Sequence, residues 1–121
     1  MSSAVLVVDD EAGMRETLVD ILEGAGYDVS AAADGDAALT QVREGTFDVV
    51  LMDIKMPGRD GVSVLHEIGS PPPQVIMMTA YAVEEQLRQA VDSAFAVVHK
   101  PFQINYLLGL VAGAAEEQAG S

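Results

Sequence analysis

Acidic side chains follow two apolar runs of the chain, where they are placed for metal or phosphoryl chemistry. The run of residues 49–52 ends on Asp53, and the run of residues 4–8 ends on Asp9 and Asp10. Such apolar runs are typical of strands that are covered on both faces of a parallel sheet. Because ligands of open parallel sheets bind beyond the carboxyl ends of the strands, we predict that the three carboxylates meet at one edge.

Two further polar groups follow apolar runs later in the chain. Thr79 comes directly after residues 75–78, and Lys100 comes directly after residues 95–99. If these runs are strands of the same sheet, the hydroxyl and the ammonium join the carboxylates at the same edge. Lys100 is one of only two lysines in the sequence, which makes its place at this edge informative.

Three neighbouring carboxylates require a counter-charge. Two carboxylates roughly 4 Å apart repel each other by about 4 kcal/mol at an effective dielectric constant of about 20. Mg²⁺ relieves such repulsion and is typically held by one or two carboxylates together with phosphate oxygens and water. We therefore predict an Mg²⁺ site, and we expect Asp10→Asn and Asp53→Asn to raise the melting temperature without metal.

The acids also have a simpler interpretation as caps of the helices that follow their strands. Asp10 or Glu11 can cap the first helix, whereas Asp53 is followed by a turn that contains Pro57 and Gly58. Capping therefore accounts for the first acids better than for Asp53.

Between the apolar runs, apolar residues recur at helical spacing. These patterns cover residues 14–25, 38–42, 62–68, 83–91 and 104–115. Asp34 is predicted to cap the second helix. Five strand–helix units predict an α/β fold, a doubly wound five-stranded parallel sheet with strand order 2-1-3-4-5 and five helices.

The composition indicates one domain over residues 1–121, with residues 113–121 as a candidate tail or linker. Half of the residues are apolar, which excludes a disordered chain. The net charge of −13 disfavours direct binding to nucleic acid or to an anionic membrane. Without cysteine, the chain has no disulfide framework or thiolate metal site. No signal peptide or membrane-spanning pattern is evident, so we expect a cytoplasmic protein.

Four motifs resemble those of the receiver domain of two-component response regulators, and the resemblance covers nearly the whole sequence. The motifs are Val-Val-Asp-Asp-Glu at 7–11, Met-Asp-Ile-Lys-Met-Pro-Gly at 52–58 with Asp-Gly at 60–61, Met-Thr-Ala at 78–80, and Lys-Pro-Phe at 100–102. Each lies at a predicted strand end, and their shared order makes the resemblance specific. It implies a flavodoxin-like (CheY-like) fold and a phosphorylatable signalling switch.

The resemblance assigns the central role to Asp53, which would accept a phosphoryl group from a sensor histidine kinase or a phosphotransfer protein. It implies that Asp10 and Asp53 bind Mg²⁺ directly and that the backbone carbonyl of Lys55 is the third protein ligand. Asp9 would act through a metal-bound water. Mn²⁺ can substitute for Mg²⁺ in such a site.

The resemblance also assigns roles to Thr79, Lys100 and Pro101. Lys100 would pair with Asp53 before the transfer and with the phosphoryl oxygens after it, and Thr79 would donate a hydrogen bond to a phosphoryl oxygen. The Lys100–Pro101 bond is expected to be cis, since a cis bond before proline costs little. The surface of the fourth helix, fifth strand and fifth helix is expected to contact a downstream protein or an attached output domain, and a homodimer is compatible with this.

Three positions are expected to modulate the switch. The family usually has Tyr or Phe three residues before the site lysine, where this chain has Val97. Because valine cannot swing as a ring can, the usual aromatic readout is not expected. Lys55 and Tyr81, two residues after Asp53 and Thr79, are expected to hinder the water that hydrolyses the acyl phosphate, so its half-life should exceed seconds.

Three other functions are compatible with parts of the sequence. A phosphatase of the haloacid dehalogenase type needs an Asp-x-Asp pair, whereas Asp9 and Asp10 are adjacent. A flavodoxin-like cofactor binder needs a Ser/Thr/Gly-rich phosphate loop, which does not follow the first strand. The remaining alternative is a degenerate receiver that acts as a phosphate-independent interaction module. We expect no enzyme activity beyond self-catalysed phosphorylation and dephosphorylation.

Overall fold

The computed structural model describes residues 3–56, 58, 60–68, 73–80 and 94–119. These residues form five strands, which are β1 (Ala4–Val8), β2 (Asp28–Ala32), β3 (Val49–Asp53), β4 (Gln74–Thr79) and β5 (Ala96–His99). They also form four helices, which are α1 (Ala12–Gly24), α2 (Gly35–Glu44), α3 (Gly61–Glu67) and α4 (Ile104–Ala119). The helix predicted over residues 83–91 lies outside the described residues, so α4 corresponds to the fifth predicted helix.

The strands form one parallel sheet in the order β2-β1-β3-β4-β5. This order confirms the predicted doubly wound α/β fold. In the register of the sheet, Asp53 lies opposite Met78, and Thr79 lies opposite His99. The carboxyl ends of β3, β4 and β5 therefore lie at the same edge.

Both faces of the sheet are covered by helices, which explains why the strands are apolar throughout. Alternate residues of a strand point to opposite faces, so β1 contributes Leu6 and Val8 to one buried cluster and Val5 and Val7 to the other. The first cluster contains side chains of α2 and α3, namely Ala38, Leu39, Val62 and Val64. The second contains side chains of α1 and α4, namely Leu18, Leu22, Leu107 and Val111.

Aspartate side chains cap two of the helices. Asp34 Oδ1 accepts a hydrogen bond from the Ala37 N–H at 2.8 Å, which confirms the predicted cap of α2. Asp60 Oδ1 accepts one from the Ser63 N–H at 2.8 Å and caps α3. Each bond satisfies a backbone donor that the first helical turn leaves without a partner. The cap at Asp60 also fixes the end of the loop that leads from Asp53 into α3.

α4 continues past the point where the sequence suggests a tail. Residues 113–119 belong to the helix, and Ala114 and Ala115 are buried in the cluster that contains Leu107. This part of the candidate tail is therefore helical, because its small residues fit against the core. No helix in the described residues is long and apolar enough to cross a membrane.

We expect Leu107→Ala to lower the free energy of unfolding by about 2–5 kcal/mol, because it leaves a cavity between α4 and the sheet. The neighbouring Tyr106 is 59% exposed, so Tyr106→Ala should change the same quantity by no more than about 0.5 kcal/mol. Urea unfolding followed by circular dichroism measures both. Equal losses in the two variants would show that α4 does not pack through Leu107.

Candidate functional site

Three carboxylates meet at the carboxyl edge of the sheet. Asp9 and Asp10 follow β1, and Asp53 is the last residue of β3. One oxygen from each carboxylate lies within 4.8 Å of the others. Asp9 is fully buried, Asp53 is 8% exposed, and Asp10 is open to solvent. The predicted convergence of the three acids is confirmed.

Lys100 reaches this cluster from the opposite side. It follows β5, and its ammonium Nζ lies 2.8 Å from Asp53 Oδ2 and 3.2 Å from Asp9 Oδ2. Since β4 separates β5 from β3, the lysine side chain must cross the end of β4 to make these contacts. The Lys100–Pro101 peptide bond is cis, as expected from the resemblance.

The carboxylates hold Lys100 in its charged form. Partial burial by itself lowers the pKa of the Lys100 ammonium, but the hydrogen bond and charge of Asp53, followed by those of Asp9, outweigh it. The pKa of Lys100 therefore lies above its ordinary value. As a result, the ammonium is a permanent counter-charge for the acids at neutral pH.

Backbone N–H groups orient the two buried carboxylates. Asp9 Oδ1 accepts from the Glu11 N–H at 2.9 Å, and Asp53 Oδ1 accepts from the Lys55 N–H at 3.1 Å. The capping interpretation of the first acids does not hold, because Glu11 is the N-cap residue of α1 and makes no side-chain cap hydrogen bond. Within the described part of the chain, the Asp10 carboxylate makes no hydrogen bond or ion pair.

Thr79 lies at the same edge, at the end of β4. It is fully buried, and its backbone carbonyl accepts a hydrogen bond from the Lys100 N–H at 2.7 Å. This bond ties the start of the Lys100 loop to the strand that the lysine side chain crosses. The structure thus places all five predicted groups at the carboxyl edge, and four of them share the ionic cluster.

The modulating positions differ in their surroundings. Lys55 is exposed on the loop after Asp53. Val97 is half-buried and packs against the first buried cluster, which lies between the sheet and helices α2 and α3. Pro101 is exposed, and Tyr81 lies outside the described residues.

Two residues contact the site although sequence reasoning gave them no role. Arg15 on α1 donates from Nη1 to the backbone carbonyl of Asp9 at 2.8 Å. Gly61 starts α3 so close to β3 that a Cβ atom there would overlap the Asp53 carbonyl oxygen. The signal for Arg15 was its place in the first turn of a helix, where long side chains point back toward the preceding strand. Gly61 was noted only as part of a motif.

The residues present fit a hard divalent cation. Three carboxylates and one ammonium leave a formal charge of −2 at the cluster. Oxygen ligands and this charge are what Mg²⁺ prefers, since it is commonly bound by one or two carboxylates and completes its shell with water. Asp10 is suited to this because its carboxylate is exposed and has no partner within the described residues.

A comparison with known families identifies the family of the chain. The family described as response regulator receiver domain matches residues 5–112 of the chain. The chain belongs to this receiver domain family. The match includes Asp9, Asp10, Asp53, Thr79 and Lys100, and it confirms the resemblance that the four motifs indicated.

Curated relatives of this receiver domain are regulators that extend well beyond the matched region. The transcriptional regulatory protein ZraR of Escherichia coli K12 is 40% identical over 106 residues, which are 85% of this chain and 24% of that protein. The DNA-binding response regulator MtrA of Mycobacterium tuberculosis H37Rv is 35% identical over 116 residues, which are 92% of this chain and 50% of that protein. The chain therefore spans a quarter to a half of these relatives.

A solved structure has the same fold. The response regulator protein TrrA from Thermotoga maritima, solved in complex with Mg²⁺-BeF, superposes with a TM-score of 0.84 at 33% sequence identity. The comparison covers 93% of this chain and 98% of that chain. The receiver domain architecture is thus shared over nearly the full length of both chains.

We expect Asp10→Asn to raise the melting temperature of the metal-free protein by a few degrees, because it relieves repulsion without breaking an ion pair. Asp53→Asn should give a smaller gain, since it also weakens the contact with Lys100. Millimolar Mg²⁺ should stabilise the wild type more than Asp10→Asn through binding linkage. Asp20→Asn on the exposed side of α1 is the control, and differential scanning fluorimetry gives the values. A lower melting temperature for Asp10→Asn would mean that this carboxylate is structural.

We expect Lys100→Met to lower the free energy of unfolding at pH 7 by about 1–3 kcal/mol without metal, because it leaves Asp53 and Asp9 without their counter-charge. A raised pKa in the folded state means that the stabilisation is complete below the ordinary lysine value of about 10.4 and is lost as pH rises through the folded value. The difference between wild type and variant should therefore be constant from about pH 7 to 9 and shrink above about pH 10.4.

Urea unfolding at several alkaline pH values tests this dependence. Arg43→Met removes an exposed cation on α2, away from the site, and it controls for the loss of a positive charge in general. If the loss of unfolding free energy in Lys100→Met already vanishes as the pH is raised from 7 to 9, the raised pKa of Lys100 is contradicted.

Proposed function

We propose that Asp53 is the phosphoacceptor of this receiver domain and that its phosphorylation switches a downstream protein or an attached output domain. The observation that carries the proposal is the Lys100 ammonium, which lies 2.8 Å from Asp53 within a cluster of three carboxylates. Such a cluster costs stability, because like charges in a partly buried site repel strongly. Costs of this kind are typical of functional sites. A carboxylate is also an established nucleophile in phosphoryl transfer.

The transfer exchanges one phosphorus bond for another. A carboxylate oxygen of Asp53 attacks the phosphorus of a phosphohistidine on a sensor histidine kinase or a phosphotransfer protein. The P–N bond breaks, and its electron pair stays on the imidazole, which takes up a proton. The new O–P bond makes an aspartyl phosphate. Mg²⁺, if held by the cluster of carboxylates, would supply positive charge to offset the phosphoryl oxygens during the transfer.

The chain's own groups position Asp53 for this attack. The Lys55 N–H holds Oδ1 and the Lys100 ammonium holds Oδ2, so the rotation of the carboxylate is restricted before the donor arrives. Lysine suits the subsequent change of partner to a phosphoryl oxygen, because its ammonium is a compact charge on a flexible stem. Thr79 would donate its hydroxyl hydrogen to another phosphoryl oxygen.

The ligands proposed for Mg²⁺ are Asp10, Asp53 and the backbone carbonyl of Lys55, with Asp9 acting through water. The formal charge of −2 at the cluster supports this set, and Mn²⁺ should replace Mg²⁺. The related protein TrrA was solved in complex with Mg²⁺-BeF, which supports a Mg²⁺ site in this domain. The match to the receiver domain family supports a signalling domain with self-catalysed phosphorylation and dephosphorylation rather than an enzyme that turns over a separate substrate.

The partner-facing surface is proposed to include β5 and α4 together with the predicted fourth helix. Phe95, Ile104 and Tyr106 are exposed there. ZraR is named a transcriptional regulatory protein and MtrA a DNA-binding response regulator, which supports a place for this domain in a longer transcriptional regulator. The expectation of no nucleic acid is therefore limited to this acidic domain itself. We still expect a cytoplasmic protein, and a homodimer is compatible with this surface.

We expect the wild type to gain the mass of one phosphoryl group when it is incubated with acetyl phosphate and Mg²⁺. Asp53→Asn should abolish this gain, because an amide cannot form the acyl phosphate. Asp34→Asn is the matched control: it removes a carboxylate at the same edge and keeps a good helix cap. Intact-protein mass spectrometry measures the labelled fraction.

Labelling that persists in Asp53→Asn, or that occurs equally well in the presence of EDTA, would contradict the proposal. A wild type that is never labelled would instead favour the degenerate receiver, which binds partners independently of phosphate.

A further inference from the structure

Gly61 is the first residue of α3, and space rather than backbone conformation requires a glycine there. Its φ angle is not in the left-handed region, in contrast to those of Gly26 and Gly58. A Cβ atom on Gly61 would overlap the carbonyl oxygen of Asp53 and lie 2.9 Å from Ile54 Cα and 2.8 Å from Met77 Cε. Real Cβ atoms essentially never approach other atoms within 3.0 Å, so a side chain at this position forces a displacement.

Only one of the three obstructing atoms can yield easily. Met77 Cε is the end of a flexible side chain, whereas the other two atoms belong to the backbone where β3 ends. That backbone is fixed by the sheet, because Asp53 pairs with Met78 and the Ile54 N–H donates to the Met78 carbonyl at 2.9 Å. A larger residue at Gly61 must therefore either push α3 away or bend the end of β3.

Both displacements reach the Asp53 carboxylate. The Gly61 N–H donates to the Ile54 carbonyl at 2.7 Å and so closes the loop between β3 and α3. This loop carries Lys55, whose N–H holds Asp53 Oδ1. A shift of α3 would move the loop, and a bend of β3 would move Asp53 away from Lys100.

We infer that Gly61 is a positioning residue for phosphoryl transfer. Its missing side chain lets the start of α3 contact the Asp53 backbone, and this contact fixes the orientation of the Asp53 carboxylate and the Lys55 carbonyl. The inference rests on the proposed role of Asp53. It assigns Gly61 no contact with the phosphoryl group.

The test is Gly61→Ala, measured at a temperature at which circular dichroism shows a folded protein. We expect the rate constant of labelling by acetyl phosphate to fall by about 10- to 100-fold, because displacements of about 1 Å can cost that much in a positioned reaction. The dissociation constant for Mg²⁺, measured by isothermal titration calorimetry, should rise severalfold, because two of its proposed ligands move.

Three further variants separate positioning from loss of stability. Gly109→Ala adds the same methyl group on α4, where nothing lies within 4 Å, and should leave both quantities unchanged. Val64→Ala removes a fully buried side chain from the same helix and should reduce stability while the labelling rate of the folded protein is retained. Gly61→Ala combined with Met77→Ala removes the movable obstacle and leaves the backbone overlap with Asp53 and Ile54, so labelling by the folded double variant should remain slow.

The inference is overturned if a folded Gly61→Ala variant is labelled at the wild-type rate and binds Mg²⁺ with the wild-type dissociation constant. It is also overturned if the double variant with Met77→Ala recovers the full labelling rate. If the wild type binds Mg²⁺ but is not labelled, the role of Asp53 fails. The Mg²⁺ affinity of Gly61→Ala then still decides whether Gly61 positions the site.

Discussion

The ion pair between Lys100 and Asp53 joins the ends of two strands that are not neighbours in the sheet. It is 2.8 Å long, and the same ammonium lies 3.2 Å from Asp9, which follows a third strand. One positive charge thus opposes three carboxylates, of which two are buried. The remaining negative charge makes this edge of the sheet a favourable place for a divalent cation.

The parallel sheet makes this crowding tolerable. Each strand is buried on both faces by apolar side chains, so the strand ends cannot move apart without disrupting the core. Backbone groups then hold the acids in place, as the Glu11 and Lys55 N–H groups do for Asp9 and Asp53. Two helices also contact the backbone of these acids. Arg15 on α1 donates to the Asp9 carbonyl, and Gly61 at the start of α3 lies against the Asp53 carbonyl. The stability of the core therefore supports a site that is itself strained by repulsion.

Much of this arrangement could be predicted because its signals are local. An apolar run that ends on an acid identifies both a buried strand and the side chain at its end, and this sufficed for Asp9, Asp10 and Asp53. The strand order followed from the alternation of strands and helices, which is typical of a doubly wound sheet. The last helix was predicted over residues 104–115, and its continuation to Ala119 was not anticipated, since small and polar residues are weak indicators of a helix until the opposing surface is known. The roles of Arg15 and Gly61 depend on how far each helix lies from the sheet, and no pattern in one sequence gives that distance.

The most direct test of the ionic cluster is to map a bound cation by its effect on neighbouring amides. Mn²⁺ should occupy the proposed Mg²⁺ site, and its unpaired electrons broaden nuclear magnetic resonance signals near it. We expect titration of the ¹⁵N-labelled protein to broaden first the amides of Asp10, Asp53 and Lys55, and we expect excess Mg²⁺ to reverse the effect. Broadening that instead begins at the acidic residues on the exposed side of α1, or that Mg²⁺ does not reverse, would contradict a cation site at the carboxyl edge.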